Sequence, residues 1–208
     1  MIISFFGPQG SGKSTQSFLL AKRTGMLSFS MGDALRREVK ENTEIGQVIK
    51  EILKRGELVP SEITNEIILK AINSPEAEKG IIIDGYPRNK EQLDFYSKNF
   101  HTDYAFEFFI SDEVAIKRLS NRRVCPNCGL NYNIMNLKDT YKCTVCNVEL
   151  VQRDDDTPES IKRRLEIYKK EIIPIREYYK NLGVLHILDA SKSIEEVDED
   201  LRKILNIK

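Results

Sequence analysis

At 208 residues the chain is long enough for one well-buried core plus a small appended lobe, at the upper end for a single compact domain. Apolar residues make up 40% and charged residues 31%, with 32 basic and 32 acidic side chains. That balance excludes a disordered chain and a basic nucleic-acid-coating protein, and it leaves global charge silent about partners.

In chain order, residues 1–6 form an apolar run ending at a glycine-rich turn, and residues 14–24 are amphipathic, which predicts a buried strand, a loop and a helix. Similar apolar runs predict strands at 26–30, 81–83, 104–110 and 184–188. Helical periodicity covers 45–55, 61–73, 112–121, 158–182 and 193–205. Five strands alternating with helices imply an α/β fold, a five-stranded parallel sheet flanked by helices on both faces. Only residues 122–156 break the alternation; they carry all four cysteines and read as an inserted lobe. The opening MIISFFGPQG has no basic leader, and no run of about eighteen apolar residues follows, so a cytoplasmic protein without membrane contact is expected.

Gly7-Pro8-Gln9-Gly10-Ser11-Gly12-Lys13-Ser14 fits G-x-x-x-x-G-K-[ST] between a predicted strand and a predicted helix. Glycines let consecutive backbone N–H groups curl toward an anion, the helix N-terminus adds partial positive charge, and Lys13 can reach the outer phosphates. A nucleoside triphosphate site follows. A GTPase would want a base-reading Asn-Lys-x-Asp, but Asn89-Lys90-Glu91-Gln92 lacks the aspartate and does not follow a strand.

The third strand runs into Asp84-Gly85-Tyr86-Pro87-Arg88. With this block the sequence resembles the nucleoside monophosphate kinases, most closely the zinc-containing adenylate kinases. The matching pieces are Gly7 to Thr15, Ser30-Met31-Gly32-Asp33-Ala34-Leu35-Arg36, Gly56-Glu57-Leu58-Val59-Pro60, Asp84 to Arg88 with Gln92, Arg118 to Arg123, and Arg153-Asp154-Asp155-Asp156 followed by Arg164. The resemblance implies a P-loop NTPase core (1–29, 60–121 and 157–208), a monophosphate-binding lobe (30–59) and a zinc-bearing lid (122–156). The implied reaction is reversible Mg²⁺-dependent phosphoryl transfer from ATP to AMP. A UMP/CMP kinase is the alternative, and a small homo-oligomer such as a trimer is as open as a monomer.

The resemblance assigns roles residue by residue. Gly10, Ser11, Gly12, Lys13, Ser14, Thr15, Arg118, Arg122, Asn131, Tyr132 and Lys192 are expected to bind ATP. Ser30, Met31, Arg36, Glu57, Leu58, Val59, Gly85, Tyr86, Pro87, Arg88, Gln92, Arg153 and Arg164 are expected to bind the monophosphate. Lys13, Arg88, Arg118, Arg122, Arg153, Arg164 and Asp84 carry the catalysis, Asp33 and Asp84 hold Mg²⁺ through water, and Asp155 and Asp156 gate the lid. Residue chemistry supports the assignment independently. The two substrates bring together roughly six negative charges, and arginine grips phosphate oxygens bidentately and stays charged. The acceptor is an anionic phosphate oxygen, so no general base is needed and the presence of only His101 and His186 is no objection.

Three positions depart from the family pattern: Ser14 and Tyr86 replace the usual glycine and phenylalanine, and Met31 replaces the common threonine. Gln92 favours adenine, since an amide pairs with adjacent donor and acceptor, whereas Met31 offers no such bond and predicts looser acceptor selectivity. Finally, Cys125-x-x-Cys128 and Cys143-x-x-Cys146, separated by fourteen residues, match a closed Cys₄ metal site. Zinc is expected, with iron as the alternative. A nucleic-acid-binding ribbon is the rival reading, favoured by Arg122, Arg123, Lys138 and Lys142 but opposed by the lack of a basic surplus and of interleaved aromatics.

Overall fold

The computed structural model describes residues 1–41, 43–137 and 141–207. Its central sheet contains β1 (Ile2–Phe6), β2 (Leu27–Ser30), β3 (Ile81–Asp84), β4 (Tyr104–Phe109) and β7 (Leu185–Asp189), all parallel in the order β2-β3-β1-β4-β7. Helices α1 (Lys13–Thr24), α3 (Glu44–Lys54), α4 (Ser61–Ile72), α6 (Asp112–Ser120), α7 (Pro158–Asn181) and α8 (Ile194–Leu205) fall within one residue of the expected spans. So do the five strands. α7 continues through Pro174. No helix among the described residues is long and apolar enough to cross a membrane.

Two helices add to the expected set. α2 (Met31–Lys40) starts with no loop after β2: Ser30 closes the strand, and its hydroxyl caps the helix by accepting from Asp33 N–H at 3.3 Å. α5 (Lys90–Asn99) is capped by Asn89, whose Oδ1 accepts from Gln92 N–H at 2.8 Å. The region 122–156 also holds a small antiparallel pair, β5 (Arg122–Val124) with β6 (Asn131–Asn133).

A sheet covered on both faces needs strands apolar on both sides, and Ile81, Ile82 and Ile83 are all buried. One face packs Ile3, Phe5, Phe106 and Phe108 against Leu20 of α1 and Leu201 of α8. The other packs Phe6 and Ala105 against Ile172, Ile175 and Tyr179 of α7. Buried polar groups on the strands are satisfied: Tyr179 donates to Ser4 Oγ at 3.0 Å, and Arg176 and Tyr168 both donate to Glu107. A third cluster joins Phe29, Ile83 and Tyr86 to Leu35, Ile49 and Ile68, so α2, α3 and α4 form a wall beside β2 and β3. The strands' C-terminal ends therefore face one crevice, with β1 at its centre, which is where open α/β sheets bind ligands.

Candidate active site

A cleft of about 520 Å³ opens at those strand ends. Its floor is the phosphate loop between β1 and α1. Gly12 takes φ +89 and serves as the N-cap of α1, a backbone that a side chain at this position would strain. Lys13 Nζ lies within the loop, donating to Gly7 O at 3.0 Å, Pro8 O at 2.8 Å and Ser11 Oγ at 3.1 Å. Removal from water pushes Lys13 down to about 8; Asp84 opposes this, while Arg88 and Arg122 reinforce it. Beside it Ser14 Oγ donates to Asp84 Oδ2 at 2.5 Å.

Every residue expected to bind ATP lines this cleft, from Gly10 through Thr15 to Arg118, Arg122, Asn131, Tyr132 and Lys192. Arg118 is braced on the loop after β7, donating to Ala190 O at 2.8 Å and Ser191 O at 3.3 Å. Of the residues expected to bind the monophosphate, Ser30, Arg36, Glu57, Leu58, Gly85, Pro87, Arg88, Arg153 and Arg164 line the cleft wall, together with Asp84. Gly85 matters by its size: a Cβ there would sit 2.7 Å from Arg88 Nη2, and the Arg88 guanidinium folds over it to donate to Gly85 O at 2.7 Å.

Among the described residues eight cationic side chains thus face the cleft, namely Lys13, Arg36, Arg88, Arg118, Arg122, Arg153, Arg164 and Lys192, against the carboxylates of Glu57, Asp84, Asp155 and Glu195. Burial and the like charges of Arg36 and Arg122 push Arg153 down, and burial with Arg36 and Arg164 does the same to Arg88. Arg153 is almost buried, and its Nε has no partner among the described residues. Such a surplus in a confined space is a receptor for polyanions.

Arg122 and Arg164 are held by the buried carboxylate of Asp156 and the partly buried one of Asp155. Arg122 grips Asp156 bidentately at 2.8 and 2.6 Å, and Arg164 reaches Asp156 at 2.9 Å and Asp155 at 3.1 Å. Burial works to raise the Asp156 carboxyl, but hydrogen bonds and charge from Arg122 and Arg164 hold it below its ordinary value. Arg153 spans two parts of the chain, donating to Asn131 Oδ1 at 2.7 Å and lying 3.8 Å from Asp33.

Five expected site residues stand off the wall. Asp33 lies outside the cleft lining, with its half-exposed carboxylate paired with Arg36 at 2.5 Å and 3.8 Å from Arg153. Val59, Tyr86, Gln92 and Met31 are buried behind the surface. Met31 packs with Phe29, Leu35 and Tyr86, which gives the expectation of looser base selectivity no support. The Tyr86 hydroxyl finds partners in Asn65 Oδ1 at 2.6 Å and Gln92 O at 3.3 Å, which explains how tyrosine is tolerated there. Leu35 and Leu53 add an apolar stretch to the cleft wall that sequence reasoning missed, because isolated leucines on helices carry no chemical signal.

The four cysteines converge, with all Sγ atoms within 4.8 Å of one another. The two knuckles are built alike. Cys125 N–H bonds Leu130 O and Gly129 N–H bonds Cys125 O; Cys143 N–H bonds Val148 O and Asn147 N–H bonds Cys143 O. Gly129 and Asn147 occupy equivalent left-handed positions, and backbone N–H groups of Cys128, Val145 and Cys146 point at sulfur. Tetrahedral Zn–S bonds of about 2.3 Å place sulfurs about 3.8 Å apart. The Cys128–Cys143 separation is 3.6 Å, so the donor set fits zinc. Tyr132 joins the metal site to the cleft: the residue lines the cleft while its hydroxyl bonds Cys143 Sγ at 3.3 Å and accepts from Thr144 N–H. Of the basic residues that favoured a ribbon, Arg122 faces the cleft, Arg123 donates to backbone carbonyls, and Lys138 lies outside the described residues.

Comparison with known proteins agrees with this geometry. The family model described as "Adenylate kinase" matches residues 5–184. A protein named adenylate kinase from Thermosipho melanesiensis is 40% identical over 214 residues, covering 100% of this chain and 99% of the relative. One of the same name from Rickettsia africae is 40% identical over 211 residues, covering all of both chains. A third, from Thermoanaerobacter sp. (strain X514), is 39% identical over 212 residues, or 99% of this chain and 98% of the relative.

Proposed function

The chain belongs to the adenylate kinase family, and from that premise we propose that it catalyses reversible transfer of the ATP γ-phosphoryl group to AMP, giving two ADP. The observation that carries the proposal is the convergence of Lys13 and six arginines, drawn from the phosphate loop, α2, the β3–α5 turn, α6, the lid and α7, on one cleft.

In this reading the phosphate-loop N–H groups and Lys13 bind the donor's phosphates, and Arg118 packs at the donor base beside Lys192. Arg36 and Arg88 hold the acceptor phosphate. Arg122, Arg153 and Arg164 converge on the phosphoryl group in transit, whose charge is spread over its equatorial oxygens, and catalysis is chiefly positioning and electrostatic stabilisation. Mg²⁺, when bound, supplies further neutralisation of the donor phosphates. Asp84 and Ser14 would hold its waters, and their mutual hydrogen bond keeps both side chains at the cleft floor. Zinc, when bound by Cys125, Cys128, Cys143 and Cys146, supplies a cross-link that a lobe of this size needs in place of a larger core.

The test is direct. The protein with ATP, Mg²⁺ and each of AMP, CMP, UMP and GMP is followed by nucleotide chromatography; ADP forming from AMP at two per ATP consumed is expected. Release of inorganic phosphate at a rate independent of any monophosphate would overturn the reading.

A further inference from the structure

Three polar contacts join α4 to the segment that carries Gln92. Ser61, Thr64 and Asn65 share one face of α4; Ser61 donates to Glu91 Oε2 at 2.7 Å, Thr64 meets Gln92, and Asn65 accepts from Tyr86. Nothing in the phosphate chemistry requires this ladder, and two of its members, Thr64 and Gln92, are only 2% exposed.

The orientation of the Gln92 amide is unambiguous. Arg88 N–H can only donate, so the atom 2.7 Å away is Oε1. Nε2 then donates to Thr64 Oγ1 at 3.1 Å, and Thr64 directs its own proton to Ser61 O at 3.0 Å, leaving its oxygen free to accept. One N–H of Nε2 remains with no partner among the described residues. Gln92 sits directly behind the cleft wall, bonded to Arg88, which lines it, and a buried unpaired amide donor there is costly unless an acceptor atom of a ligand seated in the cleft meets it.

We propose that Thr64 is a specificity-positioning residue, fixing the Gln92 amide so that its one free N–H meets a ring nitrogen of the acceptor base. The inference rests on the reading of Gln92 as the contact to that base. Adenine N1 and cytosine N3 carry lone pairs and accept. Guanine N1 and uracil N3 carry hydrogens and would set donor against donor, a mismatch that a pre-oriented polar site rejects strongly. With Thr64 in place the amide is held at both ends. Without its hydroxyl, Nε2 loses its anchor and the amide can swing to offer Oε1 instead.

The experiment compares T64V, T64S and Q92L with the parent protein, measuring kcat and KM for ATP, AMP and GMP. T64V is expected to raise KM for AMP about fivefold, as for the loss of one neutral hydrogen bond, and to lower the AMP-to-GMP ratio of kcat/KM, with KM for ATP unchanged. T64S, which keeps the hydroxyl, restores both values. Should T64V fail to fold, the Gln92 side-chain ¹⁵NH₂ signals of the parent protein provide the readout: AMP and CMP shift the free N–H, and GMP and UMP do not. Q92L collapsing the base ratio while T64V leaves it intact would overturn the assignment of Thr64. Q92L leaving the ratio intact would overturn the reading of Gln92 itself.

Discussion

Among the cations facing the cleft, Lys13 is one whose charge is open to change near neutral pH. Removal from water and the neighbouring Arg88 and Arg122 bring it to about 8 before any phosphate arrives. Phosphate oxygens favour the ammonium, so its pKa in the complex rises above that of the free protein. Binding then takes up a proton where free Lys13 is partly neutral, around and above pH 8, and takes up almost none at pH 6.5. By linkage, the Lys13 contribution to affinity for ATP is full below pH 8 and is lost as pH rises from that value through the higher pKa of the complex. Titration calorimetry in buffers of different ionisation enthalpy should show this uptake at pH 8.5, and K13M should abolish it. Uptake surviving K13M would place the proton elsewhere. At this scale the phosphate loop, Arg88 and the cysteine pairs were legible in the sequence, because their chemistry depends on residue type at fixed local spacing. Thr64 was not legible, since its meaning lies in a partner 28 positions away across the α4–α5 interface.

Among the elements, the strands and most helices followed from apolar runs and helical periodicity, to within one residue. The two unanticipated helices left local signals: Ser30 three residues before Asp33, and Asn89 three before Gln92, are helix-start patterns. They were obscured by their neighbours, since α2 follows β2 with no turn residues and Asn89 invited comparison with a base-reading loop. β5 and β6 escaped because each has three residues, largely polar, paired at the mouth of a metal site. Among the described residues the apolar content around the cysteines is slight, Leu150 with the partly buried Tyr132, Leu137 and Val148, so on the proposed reading a bound metal would supply most of the order. Chelating the metal, or making C143S, is expected to speed amide exchange at 122–133 and 141–156 at least roughly tenfold while β1, β3 and β4 keep their protection. Nucleotide transfer should fall chiefly in kcat, because no phosphate-binding group is removed. Unchanged exchange in the lid after chelation would show that the cysteines hold no folding metal.

For the molecule as a whole, one carboxylate couples the lid to the core. The chain departs for the lid at Arg122 and returns at Asp156, and Asp156 bonds both Arg122 at the start of β5 and Arg164 on α7, with no exposed side-chain surface. The same guanidinium groups line the cleft, so the ion pairs that fasten the base of residues 122–156 also hold these two cations toward the cleft. D156N keeps the shape and removes the charge. Breaking a buried ion pair is strongly destabilising; a loss of about 2 kcal/mol, discounted for the amide's remaining hydrogen bonds, lowers Tm by roughly 4–8 °C in a chain of this size. The Asp156 carboxyl is depressed in the folded state, so its contribution is complete above the unfolded aspartate value of about 3.9 and is lost as pH falls through the lower folded value. The Tm gap between parent and D156N should therefore be full at pH 7 and close in acid. A lid freed at its base also excludes water less well, so D156N should raise ATP hydrolysis relative to transfer to AMP at pH 7. An equal loss of both rates, with Tm unchanged, would mean that Asp156 neither fastens the lid nor aims its arginines.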